Sequence, residues 1–309
     1  MVSAAPAVDG LAAWRAQFRE QVDDLAAPVV VACSGGADSV ALLVLAIDAG
    51  LAPVAVHVDH ALRTASAGDA DAVCAMAANL GVPMQTVRVD VGHGPNLEAR
   101  ARAARYAALE GARVAVGAEV VLVGHTIDDQ AETVLLNLLR GAAASGLAGM
   151  APRNDHIVRP LLGFRRSDTQ AICAALGLTV LHDPMNDDRS FRRVVIRHDV
   201  LPMLSELAER DLVPVLARQA EILRAESEFL TALAVDVWPD ADPPRAAILA
   251  TMPVALARRA VRQWLGDPPP SAAEVERVLA VARSDALGTE LAGGRTVRRS
   301  AGRLMLTFG

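Results

Sequence analysis

Val29-Val30-Val31-Ala32-Cys33-Ser34-Gly35-Gly36-Ala37-Asp38-Ser39 is the stretch from which the rest of the chain can be read. Its apolar, valine-rich start favours a buried strand. Two adjacent glycines then permit a tight turn, and the apolar periodicity of 39–49 opens a helix. A strand running through a glycine turn into a helix gathers backbone N–H groups and the positive end of the helix dipole, a natural seat for phosphate. Ser34 and Ser39 can donate to phosphate oxygens, while Gly35, Gly36 and Ala37 let the backbone come close. Asp38 repels phosphate, so its expected task is to hold Mg²⁺ or to fix the loop. The loop is not GxxxxGK[ST], and the γ-phosphoryl chemistry of that motif is not implied.

Outward from this loop, apolar runs at 52–58, 84–89 and 120–123 read as further buried strands, separated by helical patterns at 67–80, 96–114 and 128–139. Such alternation implies an α/β fold, a doubly wound and mostly parallel sheet covered on both faces, with ligands beyond the C-terminal strand ends. The polar signatures fall there: 34–39, 57–63 and 124–129. An amphipathic helix precedes the sheet, with Trp14, Phe18, Val22 and Leu25 on one face. After Gly141 the pattern changes to a Gly/Ala stretch (141–152), an apolar run (157–162), a helix (167–176) and a charged loop (183–193). One long helical pattern spans 207–237 and ends in the proline-rich segment 239–244. The tail carries helical patterns at 253–265 and 272–282, then strands at 289–299 and 303–308. The expected division is an α/β domain at 1–206, a linking helix at 207–240 and a small α+β domain at 241–309.

Composition narrows the chemistry. With 52% hydrophobic and 21% charged residues, the 309-residue chain has ample material for a core. No 18-residue uncharged apolar run suggests a membrane span, and residues 1–10 do not read as a secretory signal. Cys33, Cys74 and Cys173 are far apart without a CxxC pair, which argues against a metal or iron–sulfur site and for reduced thiols in a cytoplasm. All 30 basic residues are arginine. With no lysine, phosphate recognition must use backbone N–H groups, metal ions or guanidinium groups. The net charge of −6 hides a division: 241–309 holds ten arginines against six carboxylates, including Arg295, Arg298, Arg299 and Arg303 on the expected hairpin. That excess favours a nucleic-acid contact in the tail.

Further motifs carry a resemblance. They are Val56-His57-Val58-Asp59-His60-Ala61-Leu62-Arg63, the helix 96–106 ending in Arg105-Tyr106, Gly124-His125-Thr126-Ile127-Asp128-Asp129-Gln130-Ala131-Glu132-Thr133, and Arg159-Pro160-Leu161-Leu162. With the glycine loop they resemble the PP-loop (N-type) ATP pyrophosphatase family, and within it the tRNA(Ile)-lysidine synthetase subfamily, over roughly residues 25–205. The resemblance implies a ligase that splits ATP between the α and β phosphates, adenylates the wobble cytidine of tRNA(Ile), and joins L-lysine to its C2 carbon. It implies ATP and Mg²⁺ as cofactors, tRNA(Ile) and L-lysine as partners, no membrane, and leaves room for a homodimer. In that scheme Asp38, Arg105 and Asp129 are catalytic, and the loop 34–39 with His57 binds the nucleotide. Asp38 and Asp129 are the metal ligands. Asp129 and Glu132, three apart on a helix, share a face that suits an ammonium group. Arg193 and Arg197 take an RNA- or phosphate-contacting role; the same signature usually has Ser where Met185 stands and Asn where Val194 stands. A tRNA-thiolating synthetase, an amide-forming synthetase and a non-catalytic nucleotide-binding module are the competing readings.

Overall fold

The computed structural model describes residues 6–59, 66–92, 94, 97–237 and 243–309. His60 to Arg63, Asn96 and 239–242 of the proline-rich segment lie outside the described residues, as does the Glu98 side chain. The chain forms two compact units, Met1–Ala220 and Glu221–Gly309. The division falls within the helix Val213–Val237.

The first unit alternates strand and helix as its apolar periodicities require. It runs through α1 (Pro6–Val22), β1 (Val29–Ala32), α2 (Ala37–Asp48), β2 (Pro53–Asp59), α3 (Ser66–Asn79), β3 (Met84–Arg88), α4 (Leu97–Val116), β4 (Val121–Leu122) and α5 (Ile127–Leu139). A short α6 (Ala144–Leu147) leads to a hairpin of β5 (Arg153–Asn154) and β6 (Ile157–Val158), then α7 (Arg166–Ala175). The six strands are ordered β3-β2-β1-β4-β6-β5, parallel throughout except for β5. β1 lies between β2 and β4, with Val31 paired to both Ala55 and Leu122, so the strand order reverses beside it. A crevice opens at such a reversal, beyond the C-terminal strand ends.

Alternate residues of β1 serve opposite faces of the sheet. Val29 and Val31 pack with Phe18, Leu42, Leu43, Leu45, Phe164 and Ile172, and Val30 packs with Val56, Leu109 and Val121. Each fully buried leucine of α2 contributes about 1.5–3 kcal/mol. Beyond α7, a helical run at 192–207 comprises α8 (Arg192–Val195), a π turn (Ile196–Val200) and α9 (Leu201–Leu207). The pattern expected from 207 starts later, as α10 (Val213–Val237). Glu209 takes a positive φ of 51°, the Asp211 carboxylate accepts from Val213 N, and Pro214 sits in the first turn, where it needs no N–H partner.

In the second unit, α11 (Ala246–Thr251), α12 (Val254–Leu265) and α13 (Ala272–Arg283) share a core with the sheet of β7 (Gly288–Glu290), β8 (Arg295–Ser300) and β9 (Arg303–Phe308), ordered β7-β8-β9 and antiparallel. Leu249, Val261, Val278, Leu279, Val297 and Leu304 form that core. The expected single strand 289–299 is broken because Gly293 and Gly294 adopt left-handed backbone, with φ of 73° and 72°.

Candidate active site

The nucleotide loop is organised from within by Ser39. Its hydroxyl accepts from Ser34 N and Gly35 N, each at 3.1 Å, and donates to Gly36 O at 2.9 Å. An oxygen therefore already sits where two consecutive N–H groups converge. Gly35 has φ +86°, and a Cβ there would meet Leu181 Cδ1 at 2.7 Å and Val73 Cγ2 at 2.8 Å. Gly124, at the end of β4, packs so close that a Cβ would meet the Asp38 carbonyl oxygen at 3.0 Å. Gly36 begins α2 without any side-chain cap, leaving the helix N-terminus to a ligand or to water.

A cavity of about 410 Å³ opens over this loop. Ser34, Gly36, Asp38, Ser39, His57, Arg105 and His125 all reach its wall, beside apolar Val56, Val58, Leu109 and Val123. Arg105, on α4, has neither a carboxylate nor a hydrogen-bond acceptor among the described residues; the Tyr106 ring lies 5.8 Å from its guanidinium carbon. Burial pushes the Arg105 pKa down, helped by the nearby Arg102 and Arg193 charges. Burial likewise pushes His125 down to about 3, which favours the neutral imidazole, and its buried Nδ1 has no hydrogen-bond partner among the described residues. His57 is tied to Cys33 O through Nδ1 at 3.0 Å, which fixes β1 to β2 while its ring lines the cavity. Burial raises Asp38 to about 6, against the pull of a Thr169 hydrogen bond.

Beside the cavity lies a second polar cluster with a different character. Asp129 is the capping carboxylate of α5: its Oδ2 accepts from Thr126 N at 2.8 Å and Thr126 Oγ1 at 3.1 Å. Its Oδ1 accepts from Arg166 Nη2 at 2.9 Å. Burial works against its charge, but Arg166 and Arg193 outweigh it and hold the carboxyl below its usual range. Glu132 is 0% exposed. Its Oε1 accepts from Arg166 at 3.2 Å and Arg197 Nε at 2.7 Å, and its Oε2 from Arg193 Nε at 2.8 Å. Asp128 accepts from Arg166 N at 2.8 Å, binding the start of α7 to α5.

This arrangement revises several expectations. Asp129 and Glu132 share a helix face as their spacing requires, yet their oxygens already hold guanidinium groups, so they are not an open pair. Both Asp129 oxygens accept hydrogen bonds, whereas Asp38 accepts one at Oδ1 and, among the described residues, none at Oδ2. Arg193 and Arg197 both donate to Glu132 while their side chains remain 29% and 22% exposed. The residue that sequence reading missed is Arg166, which reaches Asp129 and Glu132 and comes within 3.9 Å of Asp38. Only its place just after Arg159-Pro160-Leu161-Leu162 could have drawn attention to it.

In the second unit, the four arginines of the hairpin separate. Arg295 is 3% exposed and donates to the carbonyls of Leu265, Pro268 and Ala292. Arg299 donates to Ala282 O at 3.2 Å and to the Ser284 hydroxyl, and Arg303 to Pro243 O at 3.0 Å. Arg298 is exposed on the opposite face of β8, its stem lying over Gly288.

Residues 13–204 match the PP-loop domain family, and residues 245–305 match the TilS substrate binding domain. The chain is 46% identical to the tRNA(Ile)-lysidine synthase of Nocardia farcinica over 82% of its length and 80% of that protein. It is 38% identical to the one from Thermobifida fusca over 95% of its length and 96% of that protein. Its fold resembles the U34-tRNA thiolase NcsA from Methanococcus maripaludis with its [4Fe-4S] cluster, at a TM-score of 0.59 and 16% identity, covering 71% of this chain and 80% of that one. With both regions matched and relatives this similar along most of its length, the chain belongs to the tRNA(Ile)-lysidine synthase family of PP-loop proteins.

Proposed function

We propose that this protein is a carbon–nitrogen ligase that uses ATP to join L-lysine to C2 of the wobble cytidine of tRNA(Ile). The carrying observation is that a helix N-terminus without a side-chain cap and the Arg105 guanidinium, which has no carboxylate or hydrogen-bond acceptor among the described residues, line one cavity. Fixed donors and a fixed cation are what a reaction at the α-phosphate calls for, since charge builds on phosphate oxygens as the cytidine O2 attacks and pyrophosphate leaves. In the second step the lysine ε-amine attacks C2, AMP departs with the C2–O bond electrons, and the nitrogen sheds its proton.

The residues present fit a nucleotide-bound Mg²⁺. Asp38 reaches the cavity, its Oδ2 accepts no hydrogen bond among the described residues, and Arg166 Nε is 3.9 Å away. Among the described residues no group of three His, Cys, Asp or Glu could hold a metal ion. Phosphate oxygens would therefore complete the coordination, as is usual for this ion. Bound there, Mg²⁺ would neutralise phosphate charge.

Lysine recognition by Asp129 and Glu132 requires exchange, because the two carboxylates already face three arginines. An incoming ammonium group would have to displace a guanidinium, and Arg193 and Arg197, with side chains 29% and 22% exposed, are the candidates that RNA phosphates could draw away. Among the described residues no helix is long and apolar enough to cross a membrane. A cytoplasmic enzyme acting on free tRNA is the setting we infer, with the homodimer a question for solution measurement.

The test is incubation with ATP, Mg²⁺, lysine and tRNA(Ile), followed by nucleoside mass analysis. A lysine adduct on cytidine is expected, with pyrophosphate released only when RNA is present. Sulfur incorporation, or ATP splitting indifferent to RNA, would refute the reading. Replacing Asp38 by Asn should lower turnover at least tenfold, about 1.4 kcal/mol of barrier, with little change in thermal unfolding.

A further inference from the structure

We propose that Thr169 is a positioning residue of this reaction, holding one oxygen of Asp38 so that the other faces the nucleotide cavity. The proposal rests on the reading of Asp38 as the residue that meets the nucleotide's cation.

Thr169 lies 131 residues from Asp38 in sequence and is 0% exposed. Its Oγ1 is 2.5 Å from Asp38 Oδ1 and 2.8 Å from the carbonyl oxygen of Arg166. A hydroxyl has one proton. When Asp38 is ionised both neighbours are acceptors, and the carboxylate is the stronger one, so the proton goes to Asp38. Oδ1 is thereby engaged from the buried side. Among the described residues Oδ2 is left with no hydrogen bond, Asp38 being 28% exposed and on the cavity wall.

The grip has a second point. Cys173, one helical turn after Thr169, places Sγ 3.5 Å from Ala37 O, the residue before Asp38. Ile172 is fully buried between them in sequence and anchors this face of α7 in the core shared with α2. α7 thus holds the first turn of α2 through the backbone at Ala37 and through the side chain at Asp38. Thr169 is also the leading influence that favours charge on Asp38 against burial. A carboxylate free to rotate would present its two oxygens interchangeably. One fixed by a buried hydroxyl presents a single oxygen in a single direction, which is how outer partners tune a metal-binding carboxylate.

The experiment compares Thr169→Val, Thr169→Ala and Thr169→Ser with wild type on intact tRNA(Ile). Three quantities are read: turnover, the Mg²⁺ concentration giving half-maximal rate, and ATP affinity by equilibrium dialysis with Mg²⁺ and with EDTA. Valine keeps the volume and removes the hydroxyl. It should lower turnover about tenfold and raise the Mg²⁺ requirement several-fold, the size expected for an outer partner of a metal ligand. ATP affinity should fall with Mg²⁺ present and stay within about twofold in EDTA, and serine should restore wild-type behaviour. If Thr169→Val does not fold, Thr169→Ala carries the same comparison. Unchanged turnover and Mg²⁺ requirement in the valine or alanine variant overturns the proposal. So does an equal loss of ATP affinity with and without Mg²⁺, which marks a packing role. Failure of wild type to form the lysine adduct would instead overturn the function on which the proposal rests.

Discussion

Two polar regions of the first unit lie side by side and are built on opposite terms. Along the nucleotide cavity, polar groups are left without partners among the described residues: the N-terminus of α2 has no side-chain cap, Arg105 has no acceptor, and the buried His125 Nδ1 has no hydrogen bond. In the carboxylate cluster next to it, Glu132 and Asp129 are saturated by Arg166, Arg193, Arg197 and Thr126. A buried polar group without a partner costs stability, so its persistence points to a ligand that completes it. A buried charge with partners is part of the scaffold, and removing one member exposes the rest. The cavity is thus the place where substrate supplies the missing interactions, while the cluster must be opened before it can bind anything.

The contrast is broken most directly at Glu132. Changing it to Gln leaves three guanidinium groups around a neutral, fully buried amide. The expected loss is about 3 kcal/mol, the lower end for a broken buried pair because the arginines are 21–29% exposed. For a unit of this size that lowers the melting temperature by roughly 6–12 °C. Calorimetry checks it, and an unchanged melting temperature would mean that the cluster is not the scaffold described. The folded fraction should also use lysine poorly. A normal lysine requirement beside collapsed ATP affinity would move Glu132 to the nucleotide site.

Arg105→Met tests the other side. It should cost about 10²-fold in pyrophosphate release, the size seen when a charge-stabilising donor is removed. Because it deletes a half-buried cation that has no carboxylate or hydrogen-bond acceptor among the described residues and only a distant contact with the Tyr106 ring, the melting temperature should hold or rise. A variant that loses stability as well as activity would show that Arg105 is a structural member like Arg166.

How far these roles could be read in advance differs by residue. The loop 34–39, the sheet and the strand-end placement of 124–129 follow from local periodicity and glycine chemistry, which a single stretch of chain carries. Asp129 and Glu132 were legible as a pair, because a three-residue spacing on a helix fixes a shared face. Their partners were not, since Arg166, Arg193 and Arg197 arrive from 34 to 65 residues away and nothing in their local pattern marks the meeting. Thr169 was invisible for the same reason. In the tail, charge counting could see four arginines but not which way each one pointed.

The smallest expected effect follows from that last point and sharpens the comparison in the second unit. Arg295 is spent on three carbonyls that would be left unpaired without it, so Arg295→Ala should lower stability and tell little about RNA. Arg298 is exposed and has no hydrogen bond or ion pair among the described residues, so Arg298→Ala should leave unfolding unchanged. If the outer face of the β7-β8-β9 sheet meets the tRNA backbone, this variant should weaken binding a few-fold regardless of sequence. It should also reduce the slope of log affinity against log salt by about one, the signature of a single lost phosphate contact. Binding measured across a salt series separates the two variants. A slope unchanged by Arg298→Ala would take this sheet face off the RNA and leave Arg193 and Arg197, once released from Glu132, as the contacts to test next.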